Sequence, residues 1–453
     1  MHRSVEERRA DGRARRKQLP RAEHGTWSPP ADRFDPVALV EQRSVDALSP
    51  LVPIRHGRMS LSPFAFYRGT AALMAADLAR LPVTGLRAQL CGDAHLTNFG
   101  GYASPDRRLV FDVNDFDETL PGPWELDVKR LAASFVLAGA QIGLSPGEQN
   151  RMARRSVGAY RSAMREFAET NTLDTWYARL EVDKYVKGLP EEVRTRARRL
   201  TRSALDHNSL QALGKLAVEI DGEYRIRSDP PVLVPLRELD LGRATEDVET
   251  IVATVLATYR KSLAPNRRVL LDRLHPVDVA LKVVGVGSVG TRCWIVLLEG
   301  RDRDDPVFLQ VKEAGRSVLE DHLPRSPYRH PGRRVVEGQQ LMQASRDIFL
   351  GWTTGPEGRA YYVRQLRDGK VSVNSSRVTA AGMRVYAELC GQTLARAHAR
   401  SGDAVAIAAY LGSGDAFDRA VAEFAEAYAQ QAVDDHTRFM EAIDAGRLSA
   451  AMD

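Results

Sequence analysis

Two short polar segments carry the residue types that phosphoryl transfer requires. Residues 91–98 read Cys-Gly-Asp-Ala-His-Leu-Thr-Asn, which places Asn98 five positions after Asp93. Residues 114–118 read Asn-Asp-Phe-Asp-Glu. Phosphoryl transfer needs an Asp that orients the acceptor hydroxyl, an Asn that helps to hold Mg²⁺, and a further Asp that binds the metal bridging the phosphates. We therefore expect Asp93 and Asn98 to be catalytic and Asn98 to contribute to a metal site.

The second segment is dense in carboxylates, because Asp112 precedes Asp115, Asp117 and Glu118. Without a cation, so many like charges would repel one another and raise one another's pKa values. Mg²⁺ bound through one or two carboxylates, with phosphates completing its shell, resolves that conflict. The sequence predicts Asp115 as the main metal ligand and Asp117 as the next.

A glycine-rich segment at residues 285–290 has the spacing G-x-G-x-x-G at Gly285, Gly287 and Gly290. A dinucleotide site would require a helix directly after the last glycine, but residues 293–298 are strand-like. A hairpin whose glycines cover ATP phosphates fits better. An ordinary turn is the alternative.

Lys312 lies in a strand-like run downstream of those glycines. In a kinase, a lysine on the third strand contacts the α- and β-phosphates and pairs with a Glu on the following helix. Glu337 is the preferred partner of Lys312 and Glu320 is the second choice. A surface lysine on the polar face of a strand is the alternative.

Other chemistry is compatible with some of these residues. Asp93 and His95 form a D-x-H pattern, as in a two-metal phosphoesterase, but no Gly-Asn-His follows downstream. Asp93 and Asn98 could also simply brace a turn. Nothing in the sequence activates Cys91 as a nucleophile, so a buried structural thiol is expected.

The composition of the 453-residue chain limits the function classes. Hydrophobic residues make up 43% and charged residues 27%, as in a globular protein, and the length suggests two or three domains. No apolar run is long enough to span a bilayer. Three widely spaced cysteines favour a reducing cytoplasm. The net charge of +5 suits an anionic ligand, and no specific nucleic-acid motif is present.

The pattern of apolar residues predicts an α+β chain. We expect a basic N-terminal arm and lead-in over residues 1–50, with a solvated arm as its simplest form, and a helical catalytic part over 51–269. A β-rich part covering ATP is expected over 270–368, and C-terminal helices that complete the helical part over 369–453. Short strands are predicted to flank the segment 91–98.

These motifs resemble the aminoglycoside-phosphotransferase branch of the protein-kinase-like superfamily. Its catalytic loop is similar to the segment 92–98, and its metal segment with the structural Asp after it is similar to 114–118 and Asp127. A further resemblance rests on blocks at residues 53–59, 63–69, 91–134, 309–314, 347–352 and 362–366. Through these blocks nearly the whole chain resembles one bacterial family, the domain-of-unknown-function 2252 family. Cys91 stands where the catalytic motif usually opens with His.

The resemblance implies a two-lobed protein-kinase-like fold in circularly permuted order, because the catalytic segment precedes the glycines and Lys312. It implies ATP and Mg²⁺ as cofactors and a hydroxyl acceptor. The backbone near Val363 and Gln365 would meet the adenine. Arg58 and Arg68 are candidates for contacts to an anionic acceptor, which core or interface salt bridges explain equally well.

A non-catalytic nucleotide-binding module and a nucleotidyltransferase remain alternatives. The acceptor and the oligomeric state are open at this stage.

Overall fold

The computed structural model describes residues 3–189, 191–205, 209–239, 245–283, 285, 287, 289–366 and 378–452. The helices in the first half of the chain are α1 Val5–Gln18, α2 Pro36–Ser44, α3 Val52–Ser60, α4 Pro63–Gly69, α5 Ala71–Leu78, α6 Glu125–Gln141, α7 Pro146–Glu169, α8 Thr172–Tyr177, α9 Val182–Lys187, α10 Glu191–Leu205 and α11 Ser209–Leu216. Those in the second half are α12 Thr245–Ser262, α13 Pro265–Leu271, α14 Pro331–Met342, α15 Ala380–Ala399, α16 Ala404–Leu411 and α17 Ala416–Asp444.

The strands form antiparallel sheets. They are β1 Arg87–Leu90, β2 Phe99–Ala103, β3 Leu109–Val113, β4 Leu120–Pro123, β5 Leu180–Glu181, β6 Ala217–Ile220, β7 Glu223–Ile226, β8 Leu233–Pro235, β9 His275–Lys282, β10 Cys293–Glu299, β11 Pro306–Glu313, β12 Gly351–Thr354 and β13 Ala360–Gln365. The largest sheet has the order β12-β13-β11-β10-β9-β8. The expected mixed α+β class is confirmed.

The helical part has one large apolar core, to which α6, α7, α15 and α17 contribute. At its centre the ring of Trp124 stacks on Tyr160 with a centroid distance of 5.5 Å. Both side chains are fully buried. Since aromatic rings bury large apolar areas, this core makes a rigid base for the polar segments that follow β1 and β3.

The six-stranded sheet has its own two apolar clusters, one on each face. One joins Phe308 and Ile295 to residues of α11, and the other joins Val311 and Val363 to Tyr259 of α12. The packing therefore groups α11, α12, α13 and β8 with the sheet, although they precede the boundary expected at residue 270.

The basic N-terminal segment forms a packed helix where a solvated arm was expected. Gly12 of α1 lies so close to the carbonyl of Ala406 that no Cβ would fit between them. The guanidinium of Arg8 donates to Asp403 at 2.9 Å, and Arg16 donates to backbone carbonyls of α16. Two of the arginines that suggested solvation, Arg8 and Arg16, instead hold α1 on α16.

Among the helices described, none combines the length and apolar character needed to cross a bilayer.

Candidate functional site

The segment 91–98 leaves the end of β1 on a backbone that Asp127 of α6 holds in place. The Asp127 carboxylate accepts hydrogen bonds from the N–H groups of Cys91 at 2.8 Å and Gly92 at 3.1 Å. The Nε2 atom of His398 in α15 lies 3.2 Å from the same carboxylate. Gly92 has a φ of +84°, a conformation that favours glycine. This junction aims the next residue, Asp93, into a cleft.

Asp93 is a partly accessible carboxylate with basic neighbours. Its side chain is 19% exposed, and one oxygen accepts a hydrogen bond from Nε of Arg130 in α6. His95 Nε2 lies 3.6 Å from its other oxygen. Burial raises the pKa of Asp93, and Arg130 and Arg68 only partly oppose that shift. A carboxylate with a raised pKa at a cleft wall is suited to accept a proton.

Asn98 is held next to Asp93 by local backbone contacts. Its Nδ2 atom donates to the carbonyl of Asp93 at 2.9 Å, so the amide oxygen Oδ1 remains available to a cation. The N–H of Asn114 donates to the carbonyl of Asn98 at 2.8 Å. This bond ties the start of the second acidic segment to the end of the first.

The hairpin of β2 and β3 brings the two segments together, since Phe99 pairs with Val113. After that hairpin, the Asp117 N–H donates to Asp115 Oδ1 at 3.1 Å and forms a tight turn. The side chains of Asp115 and Asp117 are 31% and 28% exposed in the cleft. The two carboxylates predicted as metal ligands therefore both reach the cleft.

Lys312 of β11 is buried and forms an ion pair with Asp117. Tyr362 lies directly opposite Lys312 on β13, and its hydroxyl donates to Asp117 Oδ1 at 2.8 Å. Lys312 Nζ is also 4.0 Å from Asp115 Oδ2. Cross-strand partners share one face of a sheet, which explains why both side chains reach the same carboxylate.

The pKa values of the two carboxylates of this turn are shifted in opposite directions. Burial and the negative charge of Asp117 raise the pKa of Asp115. Burial also acts to raise the pKa of Asp117, but the contacts with Lys312 and Tyr362 outweigh it and the net shift is downward. Asp117 is thus a stable anion already paired with a cation, and Asp115 is the carboxylate that a metal would relieve.

The expected ion pair between Lys312 and Glu337 is not formed. Glu337 Oε1 instead accepts from Arg333 Nε at 3.1 Å on the outer side of α14. The second choice, Glu320, lies near Arg334, 3.8 Å from its Nε. The reason is that Asp117 occupies the position beside Lys312, which leaves no need for a carboxylate from α14.

The residue of α14 that contacts the acidic segment is Arg334 and not Glu337. No sequence pattern predicted this role for Arg334. Its guanidinium donates to the carbonyl oxygens of Asp117 and Thr119, both at 2.7 Å. Gly338, one helical turn later, packs directly on Thr119. Arg334 and Gly338 are at i, i+4 spacing and so share one face of α14.

The three glycines of the hairpin between β9 and β10 lie in different environments. Gly285 and Gly287 line the cleft, whereas residues 284, 286 and 288 lie outside the described residues. Gly290 has a φ of +95°, and its carbonyl accepts from Leu48 N at 2.8 Å. Gly290 therefore shapes the turn and joins it to the N-terminal segment, and it does not line the cleft.

The backbone near Val363 and Gln365 is predicted to meet the adenine, and of these two residues only Gln365 lines the cleft. Val363 points to the apolar face of the sheet, because side chains alternate along a strand and Tyr362 faces the cleft. Gln365 lines the cleft, and its N–H donates to Asp347 Oδ2 at 2.6 Å. Residues 367–377, which follow, lie outside the described residues.

A single cavity of about 1460 Å³ connects these groups. The predicted site residues that line it are Asp93, Asn98, Asp115, Asp117, Gly285, Gly287, Lys312 and Gln365. Those that do not are Gly290, Glu337 and Val363. Arg364 also lines it and donates to Asn114 O at 3.0 Å. The cavity thus lies between the helical part and the six-stranded sheet.

The donors in the cavity fit Mg²⁺ only as part of a shared shell. In the described residues, no group of three or more His, Cys, Asp or Glu side chains is arranged to hold a metal ion. Asp115, with the amide oxygen of Asn98, offers two hard oxygen ligands. Mg²⁺ is usually held by one or two carboxylates together with phosphate oxygens and water. The donor set matches that requirement, and it does not match a cage made of protein alone.

Comparison with known proteins identifies a family. A family model described as an uncharacterized protein conserved in bacteria (DUF2252) matches residues 48–442. The chain belongs to the DUF2252 family. The match begins just before α3 and ends within α17, so the site described above lies inside the DUF2252 region. No curated protein and no solved structure matches the chain.

Proposed function

We propose that this DUF2252 protein is an ATP- and Mg²⁺-dependent phosphotransferase that acts on a hydroxyl group. The observation that carries the proposal is the ion pair between Lys312 and Asp117 at one cavity with Asp93, Asn98 and Asp115. These residues come from distant parts of the sequence. Phosphoryl transfer requires a phosphate-binding lysine, metal-binding oxygens and a hydroxyl-orienting carboxylate at one place.

The order of elements in the sheet supports the same function. The glycine hairpin joins β9 to β10, Lys312 lies on the next strand, β11, and α14 follows. A kinase nucleotide lobe has this succession of strand, glycine loop, strand, lysine strand and helix. A two-lobed kinase-like arrangement in permuted order is therefore part of the proposal, with α15 beneath the catalytic segment through the Tyr386 hydroxyl, which donates to Leu96 O at 2.9 Å.

In the proposed reaction, Asp93 accepts the proton of the acceptor hydroxyl. The acceptor oxygen forms a bond to the γ-phosphorus, the bond from that phosphorus to the bridging oxygen breaks, and ADP leaves with the electron pair. Lys312 neutralises charge on the phosphates, while Gly285 and Gly287 leave room for them. Asp115 and Asn98 would hold Mg²⁺, which supplies charge neutralisation at the phosphate oxygens.

A non-catalytic nucleotide-binding module is the second candidate. The observation that favours it is the ion pair between Arg130 and Asp93, since the guanidinium occupies one carboxylate oxygen and opposes the rise in the Asp93 pKa that burial causes. In an active enzyme, an acceptor hydroxyl would have to share Asp93 with Arg130. Nucleotide binding without turnover on any hydroxyl acceptor would favour this second candidate.

The proposal is tested by thermal unfolding with and without Mg²⁺-ATP. Ligand at about 100 times its Kd should stabilise the wild type by roughly 2.7 kcal/mol. Asp115→Ala should abolish the metal-dependent part of that shift. Asp434→Ala, which alters an exposed carboxylate of α17 bonded to Gln430, is the control and should keep the whole shift. If no nucleotide shifts the wild type, the phosphotransferase proposal is wrong.

A further inference from the structure

One wall of the cavity is lined by arginines of the N-terminal segment. Arg43, Arg55, Arg58 and Arg68 lie there beside Gly69 and the first residues of α5. The wall adjoins Asp93, because the charges of Arg68 and Asp93 act on each other's pKa values. None of these arginines is needed for the nucleotide contacts proposed above, so this wall calls for its own explanation.

Two of these guanidiniums, those of Arg55 and Arg68, form no ion pair in the part of the chain that the structure describes, although the charge of Asp93 acts on Arg68 at longer range. Arg55 is 9% exposed, and it donates only to the carbonyl oxygens of Arg43 at 3.4 Å and Gly69 at 3.3 Å. The Arg68 guanidinium has no hydrogen-bond acceptor or carboxylate partner among the described residues. The Nε atoms of Arg55 and Arg68 are both buried and unbonded. An unpaired buried charge is costly, and buried charges are normally paired. A bound anion would supply the missing partner.

The surroundings of Arg55 and Arg68 increase the positive potential. Burial and the nearby charge of Arg43 lower the pKa of Arg55, which shows how poorly its charge is compensated. Gly69 at the end of α4 and Ala71 and Ala72 at the N-terminal end of α5 line the same wall. Free N–H groups and the helix dipole at such an end also favour an anion.

The wall is also covered from above. An added Cβ at Gly287 would lie 3.2 Å from the carbonyl of Arg68, so Gly287 lies directly against this residue. An apolar cluster of Leu51, Ile54, Val283 and Val289 fixes the end of the sheet to α3. A group bound at the arginines would therefore lie between α3, α4 and Gly287, on the cavity wall that adjoins Asp93.

We infer that Arg55 and Arg68 form an oxyanion subsite, and that the acceptor is a small hydroxyl compound carrying a phosphate group. The inference rests on the proposed function, since it takes Asp93 as the group that receives the acceptor's hydroxyl proton. The phosphate would bind the two guanidiniums and so place the hydroxyl at Asp93. Planar guanidiniums bind phosphate oxygens in a bidentate geometry, which supplies both affinity and orientation.

The first test measures the affinity of inorganic phosphate by calorimetry, without nucleotide. Arg55→Met and Arg68→Met should each weaken phosphate binding at least tenfold. Arg161→Met is the matched control, because Arg161 is ion-paired with Asp418 in α17 and does not line the cavity. It should bind phosphate as the wild type does. Unchanged affinity in both arginine variants would overturn the inference.

A stability measurement separates a binding role from a structural one. In buffer free of phosphate and sulfate, Arg68→Met should unfold at the same temperature as the wild type or above it, since an uncompensated charge is removed. Arg161→Met should unfold at a lower temperature, since it breaks an ion pair. A lower unfolding temperature for Arg68→Met, combined with retained phosphate affinity, would assign Arg68 to structure alone.

Further arms locate the anion and identify its type. The Lys312→Met variant should still bind phosphate. The wild type saturated with Mg²⁺-ADP should also still bind phosphate. Loss of phosphate binding in both cases would place the anion at the nucleotide end and overturn the inference. Acetate should bind at least tenfold more weakly than phosphate. Equal affinities would indicate that the subsite binds a carboxylate as well as it binds a phosphate group, and would overturn the stated acceptor class.

Turnover then connects the subsite to the reaction. With ATP as donor, glycerol 3-phosphate should be phosphorylated faster than glycerol, and Arg68→Met should remove that preference. If nucleotide binds in an Asp115-dependent manner but the arginine variants bind phosphate normally, the inference alone fails. If phosphate binds at the arginines but no nucleotide shifts the unfolding temperature, the phosphotransferase proposal fails and the acceptor assignment fails with it.

Discussion

Lys312 on β11 pairs with Asp117, which lies in the turn after β3, so one ion pair joins the six-stranded sheet to the helical part. Tyr362 completes the contact from the neighbouring strand. In this arrangement the carboxylate partner of the lysine comes from the acidic segment and not from α14. The position of Lys312 in the cleft therefore depends on the same turn that presents Asp115.

Replacing Lys312 by Met should destabilise the fold more than replacing Glu337 by Gln. Breaking a fully buried pair costs about 3–5 kcal/mol. Since Asp117 is 28% exposed, solvent screens it, and we expect roughly 1–3 kcal/mol. The Glu337–Arg333 pair is on the surface, so Glu337→Gln should change stability by less than about 0.5 kcal/mol. Urea unfolding of both variants measures the difference. Equal costs would contradict the observed pairing.

A double-mutant cycle isolates the same pair. Asp117→Asn in the Lys312→Met background should cost less than it does in the wild type, because the carboxylate no longer has a cation to lose. Interaction energies for residues in contact are typically about 0.5–3 kcal/mol. A coupling near zero would mean that the two side chains do not interact in solution.

Asp93→Asn should lower turnover by about 10²–10⁴-fold, the usual contribution of a positioned general base. It should leave the Mg²⁺-ATP shift in unfolding temperature intact, because Asp115, Asn98 and Lys312 are unchanged. Steady-state kinetics with an identified acceptor, together with thermal unfolding, checks both parts. Turnover within a few-fold of the wild type would remove Asp93 from the reaction.

Gly92→Ala should damage the fold more than Gly143→Ala does. Both glycines have positive φ values, +84° and +77°, so the backbone strain is similar. An added Cβ at Gly92 would lie 2.8 Å from Glu118 Cβ and even closer to its carbonyl, whereas at Gly143 nothing lies within 4 Å. We expect about 1 kcal/mol for Gly143→Ala and at least ~2 kcal/mol more for Gly92→Ala. Denaturant unfolding measures both, and equal losses would show that the steric contact is relieved at no cost.

Lys129 makes stability depend on pH above neutrality. Burial lowers the pKa of Lys129 to about 8 from its ordinary 10.5, although Glu125 opposes the shift. Below pH 8 Lys129 is charged in both the folded and the unfolded state, and the folded state bears the full free-energy cost of burying that charge. Above pH 10.5 it is neutral in both states and the penalty is gone. The free energy of unfolding therefore increases as the pH rises from about 8 to 10.5, because the penalty for burying the Lys129 charge disappears.

Comparison with Lys129→Met measures this effect. Relative to that of the variant, the free energy of unfolding of the wild type should rise by up to ~3 kcal/mol between pH 7.5 and pH 10.5, at about 1.4 kcal/mol per pKa unit. The ring of Phe424, 4.4 Å from the ammonium, favours the charged form and reduces this gain. Urea midpoints at several pH values check it. A pH-independent difference between the two proteins would show that Lys129 keeps its ordinary pKa.

Local patterns alone predicted the α+β class, the strand before each of the segments 91–98 and 114–118, and the candidate residues Asp93, Asn98, Asp115 and Lys312; they missed the strands β2 and β4 that follow these segments. Those predictions depend on residue spacing and on periodicity, which are properties of neighbouring residues and can therefore be identified from the sequence. The tertiary structure decided which of these residues share a cavity. It also decided that Asp117 occupies the position expected for Glu337, since a pairing between distant segments depends on how helices and sheets pack.

The same distinction explains what the sequence analysis missed. Arg130 and Arg334 have no local motif, and they act by reaching Asp93 and the Asp117 carbonyl from α6 and α14. Strand alternation places the Val363 side chain on the apolar face once Lys312 and Tyr362 are in register, so only the backbone of Val363 could meet the adenine. The sequence by itself determined the chemistry that the residues offer. The packing of the sheet on the helical part decided which charges meet, because Coulomb interactions depend on distance in space and not on distance along the chain.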